Sequence, residues 1–171
     1  MGPRSRFATR LGPFLGGAGR GRGGATLARA RGVDPLSDPS PIPAPEREPL
    51  VLVVDDYPDA QSMYGFRLRH AGYRVAFASS GDDAVTLARE LRPDAIVMDL
   101  CLRGKDGWTA TRELRADPTT CDFPIVAVSG HALPEHQRRA YECGCDLFVA
   151  KPCLPETLLS IVRGLIAKRR G

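Results

Sequence analysis

The sequence has no long apolar run, few aromatic residues and no plausible secretory signal. Its 171 residues are 43% hydrophobic and 6% aromatic, and no window approaches the roughly 18 consecutive apolar residues of a membrane span. The five cysteines are odd in number, and without a secretory signal they are expected to be reduced thiols rather than a disulfide scaffold. A cytoplasmic globular protein of one domain with an appendage is therefore predicted, without a membrane partner.

Acidic residues are scarce in the first 49 residues, which hold the whole net charge of +4. Eight arginines face four carboxylates there, whereas basic and acidic residues balance over residues 50–171. Gly and Pro make up 17 of these 49 residues, a content typical of low-complexity disorder. We therefore predict a disordered Arg/Gly/Pro-rich tail over residues 1–49. A basic arm for nucleic acid and an organellar transit peptide are weaker interpretations, so nucleic acid is not an expected partner.

From residue 50 onward, short apolar runs alternate with amphipathic helical segments. The runs predict strands at Leu50 to Val54, Arg74 to Ala78, Ala95 to Met98, Ile125 to Val128 and Leu147 to Ala150. Alternating strands and helices indicate βαβ crossovers, and hence an α/β fold with a five-stranded parallel sheet and helices on both faces. The second run mixes polar and apolar residues, so it predicts an edge strand, whereas the other four are expected to be buried on both faces.

A polar or charged residue follows four of the apolar runs. These residues are Asp55 and Asp56 after the first run, Asp99 after the third, Ser129 after the fourth and Lys151 after the fifth. Because the carboxyl ends of parallel strands lie at one edge of a sheet, the side chains are expected to converge in one crevice. Three carboxylates repel one another unless a cation holds them, and an all-oxygen ligand set favours Mg²⁺ over Zn²⁺. Lys151 and the Ser129 hydroxyl offer a charge and a hydrogen bond to phosphate, so the site predicts phosphoryl transfer to a carboxylate.

On these residues the sequence resembles the receiver domain of bacterial two-component response regulators, of the stand-alone chemotaxis-regulator type. The matching motifs are Val53-Val54-Asp55-Asp56, Ile96-Val97-Met98-Asp99-Leu100, Asp106-Gly107, Val128-Ser129-Gly130 and Lys151-Pro152. The spacings also match: 43 residues from Asp56 to Asp99, 30 from there to Ser129 and 22 more to Lys151. The resemblance implies a receiver domain over residues 50–171 with a flavodoxin-like sheet of strand order 2-1-3-4-5.

The resemblance implies that Asp99 accepts a phosphoryl group from the phosphohistidine of a sensor histidine kinase or a histidine phosphotransfer protein. The implied Mg²⁺ ligands are Asp55, which acts through metal-bound water, Asp56, Asp99 and the backbone carbonyl of Cys101. Lys151, joined to Pro152 by an implied cis peptide bond, would contact the phosphate. The protein would then be a phosphoprotein of a two-component phosphorelay and not an enzyme.

The implied output is a change in protein contacts. Ser129 would move toward the phosphate, and Phe148 would turn into the space that it leaves. Only 20 residues follow Lys151, enough for a last helix over Pro155 to Arg169, so a single-domain regulator with an unidentified downstream protein target is expected. We predict that this target docks on the fourth helix (about Pro134 to Tyr141), the fifth strand and the fifth helix. In the fifth helix the predicted core positions are Leu158, Ile161, Val162 and Leu165, with Leu159 and Ile166 as additional apolar surface positions.

The loop after Asp99 departs from the family pattern, because Leu102 and Arg103 stand where Met-Pro is usual. The missing proline predicts a more flexible loop. The three histidines, His70, His131 and His136, lie outside any motif and are predicted to be structural or solvated. Cys143 and Cys145 lack further ligands at metal-binding spacing and are predicted to be buried or idle thiols.

Two other functions stay open at this stage. A degenerate receiver that binds proteins without phosphorylation would share the fold, but the complete set of acids, hydroxyl and lysine argues against it. A phosphohydrolase of the haloacid dehalogenase type also uses a carboxylate nucleophile, lysine and Mg²⁺. That class needs an Asp-x-Asp after its first strand, whereas Asp55 and Asp56 are adjacent. In isolation, the two aspartates also fit the cap of a helix that has Pro58 in its first turn.

Overall fold

Five strands alternate with five helices in the computed structural model, which describes residues 47–131 and 133–170. The elements are β1 (Leu50–Val54), α1 (Pro58–His70), β2 (Arg74–Ala78), α2 (Gly81–Leu91), β3 (Ala95–Asp99), α3 (Gly107–Ala116), β4 (Ile125–Ser129), α4 (Pro134–Glu142), β5 (Leu147–Ala150) and α5 (Pro155–Arg170). All strand pairs are parallel, and their order is β2-β1-β3-β4-β5, as predicted. The predicted tail lies outside the described residues as far as residue 46. No helix in the described ranges is long and apolar enough to cross a membrane.

The sheet separates two apolar cores. One core lies between the sheet and α2, α3 and α4, and the other lies between the sheet and α1 and α5. β1, β3 and β4 are buried along their whole length, and β2 is an edge strand as predicted. The expectation that β5 is buried on both faces is wrong, because β5 forms the other edge and Leu147 is exposed there. Its apolar composition reflects contact with the helices beside it and carries no information about strand pairing.

The helix α5 buries a different apolar stripe from the predicted one. Its buried side chains are Leu158, Leu159, Val162 and Ile166, whereas Ile161 and Leu165 are only partly buried. The assignment of Leu159 and Ile166 to the surface is therefore wrong. Both sets of positions have the spacing of one helix face, so the period alone could not fix the rotation of α5 about its axis.

Side-chain and proline signals determine where the helices begin, close to the ends of the strands. Ser80 caps α2 and Asp106 caps α3, each by accepting a hydrogen bond from a backbone N–H in the first turn. Helix α1 has Pro58 in its first turn and Tyr57 as its N-cap, without a side-chain capping bond. Asp55 accepts a hydrogen bond from Tyr57 N at 2.9 Å. The carboxylate thus steadies the turn into α1 but does not cap the helix.

Gly107, the first residue of α3, lies against the end of β3. A Cβ atom at this position would be 2.1 Å from the backbone carbonyl oxygen of Asp99 and 2.8 Å from Leu100 Cα. Both neighbours are backbone atoms, so no side-chain rotation can relieve the overlap. The start of α3 therefore packs directly on the backbone of Asp99.

Substitution Gly107→Ala is expected to lower the free energy of unfolding by about 1–3 kcal/mol, because the backbone of β3 or α3 must shift to remove the overlap. Gly164→Ala in α5 is the matched control, since nothing lies within 4 Å of its Cβ position. Alanine there should raise stability by about 0.5–1 kcal/mol through helix propensity. Urea unfolding followed by circular dichroism measures both variants, and equal effects would contradict the close approach of α3 to Asp99.

Candidate functional site

Three carboxylates meet at the carboxyl edge of the sheet. Asp55 and Asp56 directly follow β1, and Asp99 is the last residue of the neighbouring strand β3. One carboxylate oxygen from each lies within 4.8 Å of the other two. The set consists of hard oxygen donors, with neither histidine nor cysteine among them, and this is the donor type that Mg²⁺ takes. The three residues therefore fit the ion that the sequence predicts.

Lys151 joins two of the three carboxylates. Its Nζ donates hydrogen bonds to Asp55 Oδ2 at 2.8 Å and to Asp99 Oδ2 at 2.6 Å. Burial lowers the pKa of the Lys151 ammonium, but the hydrogen bonds to Asp55 and Asp99 and their negative charges outweigh burial and hold this pKa above its ordinary value. The lysine therefore stays charged at neutral pH. The peptide bond between Lys151 and Pro152 is cis, as the resemblance implies.

The carboxylate of Asp99 is held at both oxygens. Oδ1 accepts a hydrogen bond from Cys101 N at 2.8 Å, and Oδ2 accepts the bond from Lys151. Its backbone is buried under the start of α3 at Gly107. These contacts fix the orientation of a side chain that is itself buried.

Ser129 ends β4 at the same edge, but its hydroxyl points to the loops beside the carboxylates. The Ser129 Oγ accepts a hydrogen bond from His131 N at 3.2 Å and lies 3.6 Å from Cys101 Sγ. In the described part of the chain its hydroxyl makes no hydrogen bond with Asp99 or Lys151. Ser129 is fully buried at this edge of the sheet.

Phe148 lies in β5 on the α4 side of the sheet. It pairs in register with Ala127 of β4, is partly buried, and packs against the core beneath α2, α3 and α4. Helix α5 covers the opposite face. A rotation of Phe148 would thus act first on the α4 side of the predicted docking face.

Two contacts at the site escaped the sequence interpretation. Arg103 donates through Nε to Asp56 Oδ2 at 2.7 Å, a contact that the missing proline of this loop does not predict. His131, which is predicted to be structural or solvated, is exposed, and its Nδ1 lies 3.2 Å from Cys101 Sγ. The positions of Arg103 and His131 in the sequence could have indicated these contacts, because both residues follow the carboxyl ends of β3 and β4, where the site is predicted.

The sequence model of the response regulator receiver domain matches residues 51–163. The DNA-binding response regulator MtrA of Mycolicibacterium smegmatis is 36% identical over 118 residues, which cover 69% of this chain and 50% of that protein. The DNA-binding dual master transcriptional regulator RpaA of Synechocystis sp. is 32% identical over 120 residues, which cover 70% of this chain and 50% of that protein. The chain spans about half the length of these curated relatives.

Solved structures agree with this match. The receiver domain of the sensor histidine kinase PA1611 from Pseudomonas aeruginosa superposes with a TM-score of 0.66 and 35% identity, covering 70% of this chain and 98% of that chain, and has a magnesium ion coordinated in its active-site cleft. The chemotaxis response regulator CheY4 of Vibrio cholerae superposes with a TM-score of 0.65 and 28% identity, covering 69% of this chain and 98% of that chain. The fold, the carboxylate cluster and the match over residues 51–163 place this chain in the family of response regulator receiver domains.

Proposed function

We propose that Asp99 accepts a phosphoryl group from the phosphohistidine of a sensor histidine kinase or a histidine phosphotransfer protein, and that this changes the contacts of the chain with a downstream protein. The observation that carries the proposal is the direct contact of Lys151 with both Asp99 and Asp55. This contact places the Lys151 ammonium beside the buried Asp99 carboxylate, at the edge of the sheet where parallel α/β folds bind ligands. Members of the receiver family are signalling modules, so the phosphoryl group is a signal here and not a substrate for turnover.

The residues around Asp99 orient its carboxylate for nucleophilic attack on phosphorus. One carboxylate oxygen attacks phosphorus, the phosphorus–nitrogen bond of the donor breaks, and the imidazole leaves with the electron pair. Hydrogen bonds from Cys101 N and Lys151 Nζ hold the carboxylate in one orientation, which removes part of the entropic cost of the encounter. Lys151 then offsets the negative charge that the phosphoryl group brings.

A divalent ion fits the carboxylate cluster. Asp55, Asp56 and Asp99 would hold Mg²⁺, with Asp55 acting through bound water and the backbone carbonyl of Cys101 as a further ligand. When bound, the ion neutralises charge on the transferring phosphoryl group. Support comes from the 4.8 Å grouping of the three carboxylates and from the magnesium ion in the related receiver domain of PA1611.

Ser129 and Phe148 are the proposed switch. Ser129 faces Ala150 in the parallel ladder, and Phe148 lies two residues earlier on the same strand β5. When the Ser129 hydroxyl turns from His131 N toward a phosphate on Asp99, it leaves space that the Phe148 ring can enter. The proposed target, an unidentified protein, docks on α4, β5 and α5, where Tyr141 and Leu147 are exposed.

The alternatives have less support. Membership of the receiver family removes the basis for a haloacid dehalogenase type of phosphohydrolase. A degenerate receiver would have no need of a lysine shared between Asp55 and Asp99. A cytoplasmic location is part of the proposal, since all five cysteines are free and free thiols are typical of reducing compartments.

Incubation with Mg²⁺ and a small acyl phosphate donor is expected to add one phosphoryl group, because an activated donor needs only positioning and charge neutralisation. Asp99→Asn should abolish the adduct, and Asp122→Asn, which replaces a carboxylate in the α3–β4 loop, should keep it. Intact-mass spectrometry measures both variants. An adduct of the same mass on Asp99→Asn would show that the acceptor is misassigned.

Removal of divalent ions with EDTA should stop this labelling, since the carboxylate cluster would lack the ion that neutralises the phosphoryl oxygens. Added Mg²⁺ should restore the adduct to its original level. Labelling that continues at the same rate in EDTA would refute the metal role of Asp55 and Asp56.

Binding of beryllium fluoride, a phosphoryl mimic, is expected to shift the backbone amide resonances of Phe148 and of the β4–α4 loop. Ser129→Ala should remove the shift at Phe148 and keep the shifts around Asp99, because the hydroxyl is the proposed link between them. Two-dimensional NMR gives both readouts. Shifts confined to Asp99 and α1 would mean that the proposed switch and docking face are wrong.

A further inference from the structure

Asp56 is already paired with a cation of the same chain, the guanidinium of Arg103. Arg103 donates through Nε to Asp56 Oδ2 at 2.7 Å, and its Nη2 lies 3.5 Å from the backbone oxygen of Asp56. The arginine side chain is 84% exposed, whereas the Asp56 side chain is only 7% exposed. The long, exposed side chain of Arg103 thus covers the almost fully buried carboxylate of Asp56.

The arginine shares this carboxylate with the proposed metal site. The oxygen atoms that bring Asp55, Asp56 and Asp99 within 4.8 Å of one another are the donors that a divalent ion would use. Lys151 contacts the other two carboxylates, so every member of the cluster is paired with a protein cation. A divalent ion that binds the Asp56 carboxylate would lie close to the Arg103 guanidinium, which is bonded to the same carboxylate. The two positive charges would repel each other.

The two cations differ in how easily they can leave. Lys151 is partly buried and bonded to two carboxylates. Arg103 is bonded to one side chain and lies at an exposed point of the β3–α3 loop, where the next residue, Gly104, is also exposed, has a φ of +81° and has nothing within 4 Å of its Cβ position. Arg103 is therefore the cation that can withdraw without disturbing the core.

We propose that Arg103 is a tethered competitor of the metal ion. Its guanidinium neutralises Asp56 in the metal-free protein and leaves Asp56 when Mg²⁺ binds, so Arg103 sets the metal affinity of the acceptor site. The inference rests on the proposed function, because it concerns the metal that serves Asp99. Exposed ion pairs are weak, so the competition should reduce Mg²⁺ affinity by only about two- to fivefold.

Isothermal titration of Mg²⁺ into the metal-free full chain tests the competition directly. Arg103→Gln is expected to bind Mg²⁺ about two- to fivefold more tightly than the parent protein, because the competing charge is gone. Arg138→Gln is the matched control, since Arg138 is also an exposed arginine in an ion pair, with Glu142 on α4. It loses the same charge away from Asp56 and should bind Mg²⁺ as the parent does.

Unchanged or weaker Mg²⁺ binding by Arg103→Gln would overturn the proposal. An equal gain in Arg138→Gln would also overturn it, because the effect would then belong to net charge. Urea unfolding separates competition from a folding defect: by linkage, Arg103→Gln should be less stable than the parent only without metal, and the difference should shrink at saturating Mg²⁺. A constant difference at all Mg²⁺ concentrations contradicts the release of Arg103.

Labelling of Asp99 at saturating Mg²⁺ distinguishes this inference from the proposed function. Equal labelling of the parent and Arg103→Gln, together with tighter metal binding by the variant, supports both. Normal labelling with unchanged affinity overturns the competition and keeps the acceptor role. Tighter binding without labelling of either protein overturns the acceptor role and keeps the competition, and a lack of Mg²⁺ binding by both proteins overturns both.

Discussion

The repulsion among three carboxylates at one edge of the sheet is the constraint that organises this molecule. Parallel pairing of β1 with β3 brings Asp55 and Asp56 beside Asp99, and burial prevents water from screening them fully. The chain answers with cations from two distant places, Lys151 after β5 and Arg103 after β3. Each carboxylate is thus paired with a cation of the same chain, and the proposed Mg²⁺ would meet these cations at the same groups.

Lys151 and Arg103 have different roles because they differ in burial. Lys151 lies between Asp55 and Asp99, and although burial lowers the pKa of its ammonium, the two carboxylates hold this pKa above its ordinary value. Arg103 lies on the surface, where an ion pair contributes little and is easily replaced. One cation therefore serves as a fixed part of the site, and the other answers to the ion content of the solution.

Much of the fold and the centre of the site could be predicted from the sequence, because both depend on regular periodicity. Strand ends in a parallel sheet share one edge, so Asp55, Asp99 and Lys151 could be brought together from their positions alone. The contact of Arg103 with Asp56 could not, since it depends on the path of an irregular loop. The rotation of α5 and the partial exposure of β5 also escaped, because apolar spacing reports that a face is buried but not which neighbour covers it.

Gly107 gives the site a mechanical asymmetry. The backbone of Asp99 contacts Gly107, the first residue of α3, with no room for even a methyl group. Close packing therefore prevents Asp99 from moving toward α3. Ser129 is held in β4 by its backbone, but its hydroxyl is bonded to His131 N and can turn about the Cα–Cβ bond. In the proposed switch, a phosphoryl group on Asp99 would displace the Ser129 side chain rather than α3, because Gly107 leaves α3 no room to move toward Asp99. The direction of the proposed signal would then depend on the absence of a single side chain.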